Sequence, residues 1–240
     1  MCGSICYNSN SMNKALGFTL VEILLAILIF SIIGTTIYGS FHSVIGAANM
    51  LEGQIENKEM AQTCLLQMVV DLQSIYVHLP PEYKPPEWGQ DPEPYRFVGA
   101  TQLIETNTMP ILRFASMSQV LLEGNTKKDI VAITYYVHSS SRGFLELRRK
   151  EQQWPYPPFE VKTSDPVLCQ NIKSLSFRYY NSEGTVFDAW DSESDQVQYA
   201  TPVRVDINLE IGQDDQTFSA QTQIQLPVYR EPWKESEGVQ

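Results

Sequence analysis

The chain has 240 residues, with 17 Lys and Arg against 28 Asp and Glu, and a formal charge of −11. Hydrophobic residues at 43 % and aromatic residues at 11 % supply a packed core, which excludes a chain that is disordered throughout. No Lys/Arg-rich stripe occurs, which excludes a protein built to hold nucleic-acid phosphates, because that chemistry needs clustered cations to displace counterions.

Residues 1–17 contain Cys2, Cys6, Met12 and a single cation, Lys14, and end in Gly17. Translation from Met12 would give a short basic leader, MNKALG, and we expect it to begin there. From Phe18 to Ala48 the sequence reads FTLVEILLAILIFSIIGTTIYGSFHSVIGAA. As a helix this stretch would extend roughly 46 Å, and about 20 residues suffice to cross a bilayer core. Glu22 is the anomaly within it. An ionised carboxylate in hydrocarbon costs about 2.5 kcal/mol or more, so a residue placed there marks a functional site. Glu22 follows Phe18 by one helical turn and shares its face. An ordinary secretory signal cut near Ala47-Ala48 is the alternative reading, and Glu22 disfavours it.

Gly17-Phe18-Thr19-Leu20-Val21-Glu22 resembles the GFTLxE processing signal of type IV pilins and pseudopilins. The resemblance implies that residues 1–17 are a leader, with Lys14 as its charge. It implies that an aspartyl prepilin peptidase cuts between Gly17 and Phe18 and methylates the new amine of Phe18. Gly17, lacking a side chain, suits an extended peptide lying flat in a protease cleft. Residues 18–48 become a single-pass anchor in the bacterial inner membrane, with the rest of the chain in the periplasm. In low dielectric the Phe18 amine and the Glu22 carboxylate lower each other's cost of insertion. The family further implies that Glu22 meets the amine of a neighbouring subunit and sets register during assembly.

Beyond the anchor, Leu51, Ile55, Leu65, Met68, Val69, Leu72, Ile75 and Leu79 recur at helical spacing. Gln54, Lys58, Gln62, Gln67 and Asp71 mostly take other faces, which predicts an amphipathic helix over 49–79. The whole helix is expected to run from Phe18 to about Leu79, where Pro80-Pro81 stops it. Gly34, Gly39, Gly46 and Gly53 each cost about 1 kcal/mol relative to alanine. The stretch from Gly34 to Gly39 is expected either to bend or to permit close helix packing. Met50, Met60 and Met68 read as packing residues.

Pro80, Pro81, Pro85, Pro86, Pro92 and Pro94 make residues 80–94 an extended connector. Eight strands are expected after it: Phe97–Ile104, Ile111–Ser116, Ile130–His138, Phe144–Lys150, Ile172–Tyr180, Thr185–Trp190, Pro202–Ile211 and Phe218–Leu226. Asn181-Ser182-Glu183-Gly184 and Gly212-Gln213-Asp214-Asp215 supply turns between strands. The predicted fold is therefore α+β: a long N-terminal helix, half anchor and half amphipathic, packed on antiparallel β-sheets of residues 80–230. Residues 231–240 read as a polar tail.

IKSLSFRYYNSEG, then Trp190, then TPVRVDINLEI and QIQLPV, resembles the J-type minor pseudopilin of type II secretion. Asp71-Leu72, Phe97-Val98-Gly99 and Leu145-Glu146-Leu147-Arg148 fit the same pattern, while Ala200-Thr201-Pro202 departs from it, the family showing leucine before proline. The resemblance implies a pilin-like tip subunit that helps initiate a periplasmic pseudopilus. Its implied partners are the I-type, K-type and H-type pseudopilins, the major subunit, the prepilin peptidase and the inner-membrane assembly platform. A minor pilin of a type IV pilus or competence system is the alternative.

Cys64 and Cys169 read as two buried thiols, with a disulfide as the alternative in an oxidising compartment. His42, His78 and His138 lie in no nucleophile or metal motif, and no catalytic residue, metal site or cofactor is expected. The acidic run Asp188, Asp191, Glu193 and Asp195 fails as a calcium loop, since Gln196 and Pro202 stand where glycine and glutamate are required.

Overall fold

The computed structural model of the chain describes residues 18–104, 107–117, 130–141, 143–154, 156–213 and 216–234. Two units are distinguished, Met1–Met50 and Leu51–Gln240. Gly17, Lys14, Cys2, Cys6 and the Met12 start lie outside the described residues, as do Asp214-Asp215 of the second expected turn.

A single helix, α1 (Leu20–Gln73), contributes to both units. In the first unit its apolar side chains from Leu20 to Ile45 are exposed. The few hydroxyls there are satisfied within the helix. Ser31 donates to the Ile27 carbonyl at 2.8 Å, Thr35 to Ile32 at 2.9 Å, Thr36 to Ile33 at 2.8 Å and Ser40 to Thr36 at 2.9 Å. Such local bonds let serine and threonine sit in an apolar environment that offers no water. The helix is unbroken through Gly34 and Gly39, and nothing lies within 4 Å of where their Cβ atoms would be.

In the second unit α1 buries Ala61, Cys64, Leu65, Met68 and Leu72, one face of the helix. Ile55, expected on that stripe, is exposed, and Asp71, expected on the polar face, is fully buried. The helix ends at Gln73, short of the predicted Leu79, because the first sheet captures its next backbone groups. Ile75 bridges Ser116, the Tyr76 amide donates to the Ala115 carbonyl at 2.9 Å, and the Met117 amide donates to the Ser74 carbonyl at 2.8 Å. Backbone polar groups must be paired somewhere, and here sheet pairing replaces the next helical turn.

All strand pairings are antiparallel. The strands are β1 (Val98–Ile104), β2 (Asn107–Ser116), β3 (Val131–Ser139), β4 (Leu145–Gln152), β5 (Val167–Cys169), β6 (Ile172–Tyr180), β7 (Val186–Phe187), β8 (Trp190–Asp191), β9 (Arg204–Gln213) and β10 (Gln216–Gln225). One sheet has the order β5-β4-β3-β2-β1-β8 and the other β10-β9-β6-β7. Alternation is strict where one face meets solvent: Val205, Ile207, Leu209 and Ile211 of β9 are buried while Arg204, Asp206, Asn208 and Glu210 are partly exposed. Both sheets and the second-unit part of α1 feed one core, from Ala61 to Leu226. The arrangement is α+β, an N-terminal apolar helix with antiparallel sheets, consistent with a pilin-like fold.

Three expectations are corrected. The segment Thr185–Trp190 is not one strand: β7 pairs with β6, whereas β8 pairs with β1 of the other sheet, so Trp190 stands between the sheets. Pro202 precedes β9 without joining it, having no amide to donate. β5 was not anticipated, since three residues carry no alternation to read. The predicted tail also begins too early. The Trp233 amide donates to the Gln198 carbonyl at 2.7 Å, and its ring meets Tyr83 edge-on; residues 235–240 lie outside the described set.

Candidate assembly site

At the start of α1, Thr19 acts as the cap. The Glu22 amide donates to the Thr19 carbonyl at 3.1 Å and to its Oγ1 at 3.4 Å, and the Ile23 amide donates to the same carbonyl at 3.3 Å. Threonine followed three residues later by glutamate is the pattern that satisfies the free amides of a first helical turn. Glu22 lies in that turn, where the helix dipole favours negative charge. Phe18 and Glu22 are both exposed, as is the apolar helix that follows. The stretch Leu20–Gly46, 27 residues, is long and apolar enough to cross a membrane. At 1.5 Å per residue it is about 40 Å long. Of the predicted processing and assembly residues the structure describes Phe18 and Glu22: Glu22 lies in the first turn of α1, whereas Phe18 precedes the helix, so the expected helical stacking of the two is not present.

In the second unit, two charged clusters fix the elements. The first latches α1 to the first sheet. Asp71 of α1 accepts from Arg149 Nε at 2.7 Å and Nη2 at 3.4 Å, from Gln67 Nε2 at 3.0 Å, and from the Tyr135 hydroxyl. Arg149 also donates to Glu151 at 2.8 Å. Burial and the Asp71 charge push the Tyr135 phenol far above its ordinary range, so it serves as a donor at any physiological pH. Burial alone would lower the Arg149 pKa, but its bonds to Asp71 outweigh that and raise it. Ser116 adds hydroxyl bonds to the carbonyls of Asp71 at 3.0 Å and Ser74 at 3.1 Å, closing the helix end.

The second cluster holds the C-terminal segment. Arg230 is buried and donates to the carbonyls of Tyr199 at 2.6 Å, Ser192 at 2.8 Å and His78 at 3.2 Å. It pairs with Glu93 and Glu193, each at 3.3 Å, and its guanidinium lies 3.3 Å from the Tyr83 ring centre. Tyr83 donates to Glu193 at 3.0 Å. Burial raises the Glu193 carboxyl above its usual range, although Tyr83 and Arg230 pull the other way. The acidic run is thus split: Glu193 faces Arg230, and Asp195 accepts from Tyr199. Among the described residues no group of three His, Cys, Asp or Glu is placed to hold a metal ion.

The two cysteines, expected as buried thiols with a disulfide as the alternative, are buried side by side. Cys64 of α1 and Cys169 of β5 lie with their sulfur atoms 3.0 Å apart, both free thiols. His78 lies 2.6 Å from Glu93, and His42 stacks on Tyr38. The sequence did not point to Arg149 or Arg230, whose acidic partners lie far along the chain. The one available signal was the clustering of three cations, Arg148-Arg149-Lys150, on an expected strand.

The family model described as the prokaryotic N-terminal methylation motif matches residues 12–38. No curated protein matches the chain. The matched stretch contains Lys14, Gly17, Phe18 and Glu22 and most of the exposed apolar helix. The motif implies processing by a prepilin peptidase and assembly with other pilin-like subunits, and it points to a structural subunit instead of an enzyme. Together with the apolar helix and the antiparallel sheets, it supports a type IV pilin-like protein with a single-pass anchor.

Proposed function

We propose that the chain is a J-type minor pseudopilin, a tip subunit that helps initiate the periplasmic pseudopilus of type II secretion. The observation that carries the pilin-like part is Glu22, four residues after Phe18, at the head of an exposed apolar helix matched by the methylation motif. Cleavage after Gly17 frees the Phe18 amine, and methylation keeps it cationic beside the carboxylate. That pair lowers the cost of holding charge in lipid. As the chain enters the filament, Glu22 meets the amine of the neighbouring subunit and fixes the step between them. The J-type part is supported by the aromatic strand β6, Trp190 standing between the sheets, and the proline-led hairpin β9–β10. The domain faces the periplasm and presents its sides to I-type and K-type subunits.

N-terminal analysis of the protein isolated from membranes tests the first part, and an N-methylated Phe18 is the expected result. Co-purification of the domain with I-type and K-type domains tests the second. Failure to bind them, together with binding to minor pilins of a pilus or competence system, would replace the J-type assignment with the alternative.

A further inference from the structure

Cys64 and Cys169 are 105 positions apart in the chain, yet each is 1 % exposed and their sulfur atoms are in contact at 3.0 Å. Around them the core is apolar. Ala61, Leu65 and Met68 flank Cys64 on its helix face, and Leu147 of β4 is the register partner of Cys169. The neighbouring Gln170 amide points at the Met60 sulfur, 3.3 Å away, so the residue that follows β5 also lies against α1. An S–S bond is about 2.05 Å long, so side-chain rotation closing the gap by about 1 Å would make one.

We propose that Cys64 and Cys169 form an intramolecular disulfide that staples α1 to β5, the edge strand of the first sheet. The proposal rests on the functional reading above in one respect, the placement of this domain in an oxidising compartment. The oxidant is the disulfide of an oxidised dithiol protein. One cysteine, as thiolate, attacks that disulfide, forms a mixed disulfide and displaces one donor sulfur. The second cysteine then attacks the mixed disulfide and displaces the other. The chain gives up both thiol protons and an electron pair, and the donor leaves as a dithiol.

The folded core sets the order of these steps. The hydrogen bond that the Cys169 thiol donates to Cys64 and burial together push that thiol far above its ordinary pKa, and both cysteines are buried from reagents. Exchange needs a thiolate within reach, so it takes place before α1 seats on β5. Once seated, the bond is closed to reductants. The staple acts well before the backbone–backbone links to the first sheet, at Ser74, Ile75 and Tyr76, which lie beyond the helix end.

The test uses the full chain, exported by a bacterium with an oxidising envelope, quenched in acid and alkylated in denaturant without reductant. Peptide mass spectrometry on the same sample reads the N-terminus. The expected result is a cross-linked Cys64–Cys169 peptide pair that neither cysteine's alkylated form accompanies until reductant is added. The native oxidised protein should melt roughly 5–15 °C above the same protein reduced in denaturant and refolded. Cys64→Ser should match the reduced form and free Cys169 for labelling in denaturant. Alkylation of both cysteines without reductant, in a chain that begins at methylated Phe18, overturns the staple and leaves the pilin-like reading intact. A cross-linked pair in a chain that begins elsewhere does the reverse.

Discussion

Asp71 is a wholly buried carboxylate on a helix, held by a guanidinium and a phenol from two strands. Removing one partner of a buried pair strands the other charge in low dielectric, which commonly costs about 3–5 kcal/mol. Asp71→Ala should therefore lower the melting temperature of the domain by roughly 10 °C or more. A double replacement, Asp71→Leu with Arg149→Leu, should cost less than Asp71→Ala, since no charge is left unpaired. Equal losses in single and double variants, by thermal melts, would show that the latch is only packing. Glu193 yields a pH prediction. Its folded pKa is raised, so the folded state binds its proton more tightly than the unfolded chain does. Its contribution is fully present below the unfolded carboxyl value, about 4.3, and fades as pH rises through the folded value. The melting-temperature difference between the native protein and Glu193→Gln should shift in favour of the native protein as pH falls from 7 to about 4; a constant difference would contradict the assignment. Glu22 stands out in the sequence because a charge inside an apolar run is anomalous by itself. Asp71 could not, because a polar residue at helical spacing looks solvent-facing until its partner, 78 residues away, is located.

Among the elements, β1 comes close to the second sheet at Gly99. A Cβ built on Gly99 would lie 2.1 Å from the Tyr179 ring of β6, in the other sheet, so the two sheets meet there with room for glycine alone. Gly99→Ala should destabilise the domain by about 1–3 kcal/mol through overpacking, and trimming the opposing ring with Tyr179→Leu should recover part of the loss. Additive losses, measured by denaturant titration, would mean that the two positions are uncoupled. The longer strands were legible because alternation fixes one face: β6 runs Ile172–Tyr180 as expected, and its following turn has Gly184 at φ 83° with the Asn181 side chain accepting from the Glu183 and Thr185 amides. The shorter ones were not. β5, β7 and β8 are held by their neighbours and have too few residues for a period to appear. The end of α1 escaped for a related reason: Ile75 and Leu79 continue the helical spacing, but sheet pairing at Ser74–Tyr76 competes for the same backbone.

Across the molecule, the two units answer to different solvents. The first exposes a predominantly apolar surface from Leu20 to Ile45, broken by Glu22 and a few hydroxyls, of the kind a bilayer or other helices would cover. The core residues of the second, Ala61 to Leu226, all fall within Leu51–Gln240. A chain cut to residues 51–240 should consequently be soluble without detergent and melt in one cooperative transition. Asp71→Ala should cost that fragment as much as it costs the longer chain. The chain beginning at Phe18 should instead partition into membranes. Glu22→Ala should partition equally well, because it removes a charge from hydrocarbon, yet fail to enter filaments, because the neighbouring amine loses its partner. Membrane fractionation and filament shearing, done on the same cells, separate the two effects. Normal filament incorporation of Glu22→Ala would remove the carboxylate from the assembly mechanism, and a fragment 51–240 that aggregates would show that the first unit helps complete the fold of the second.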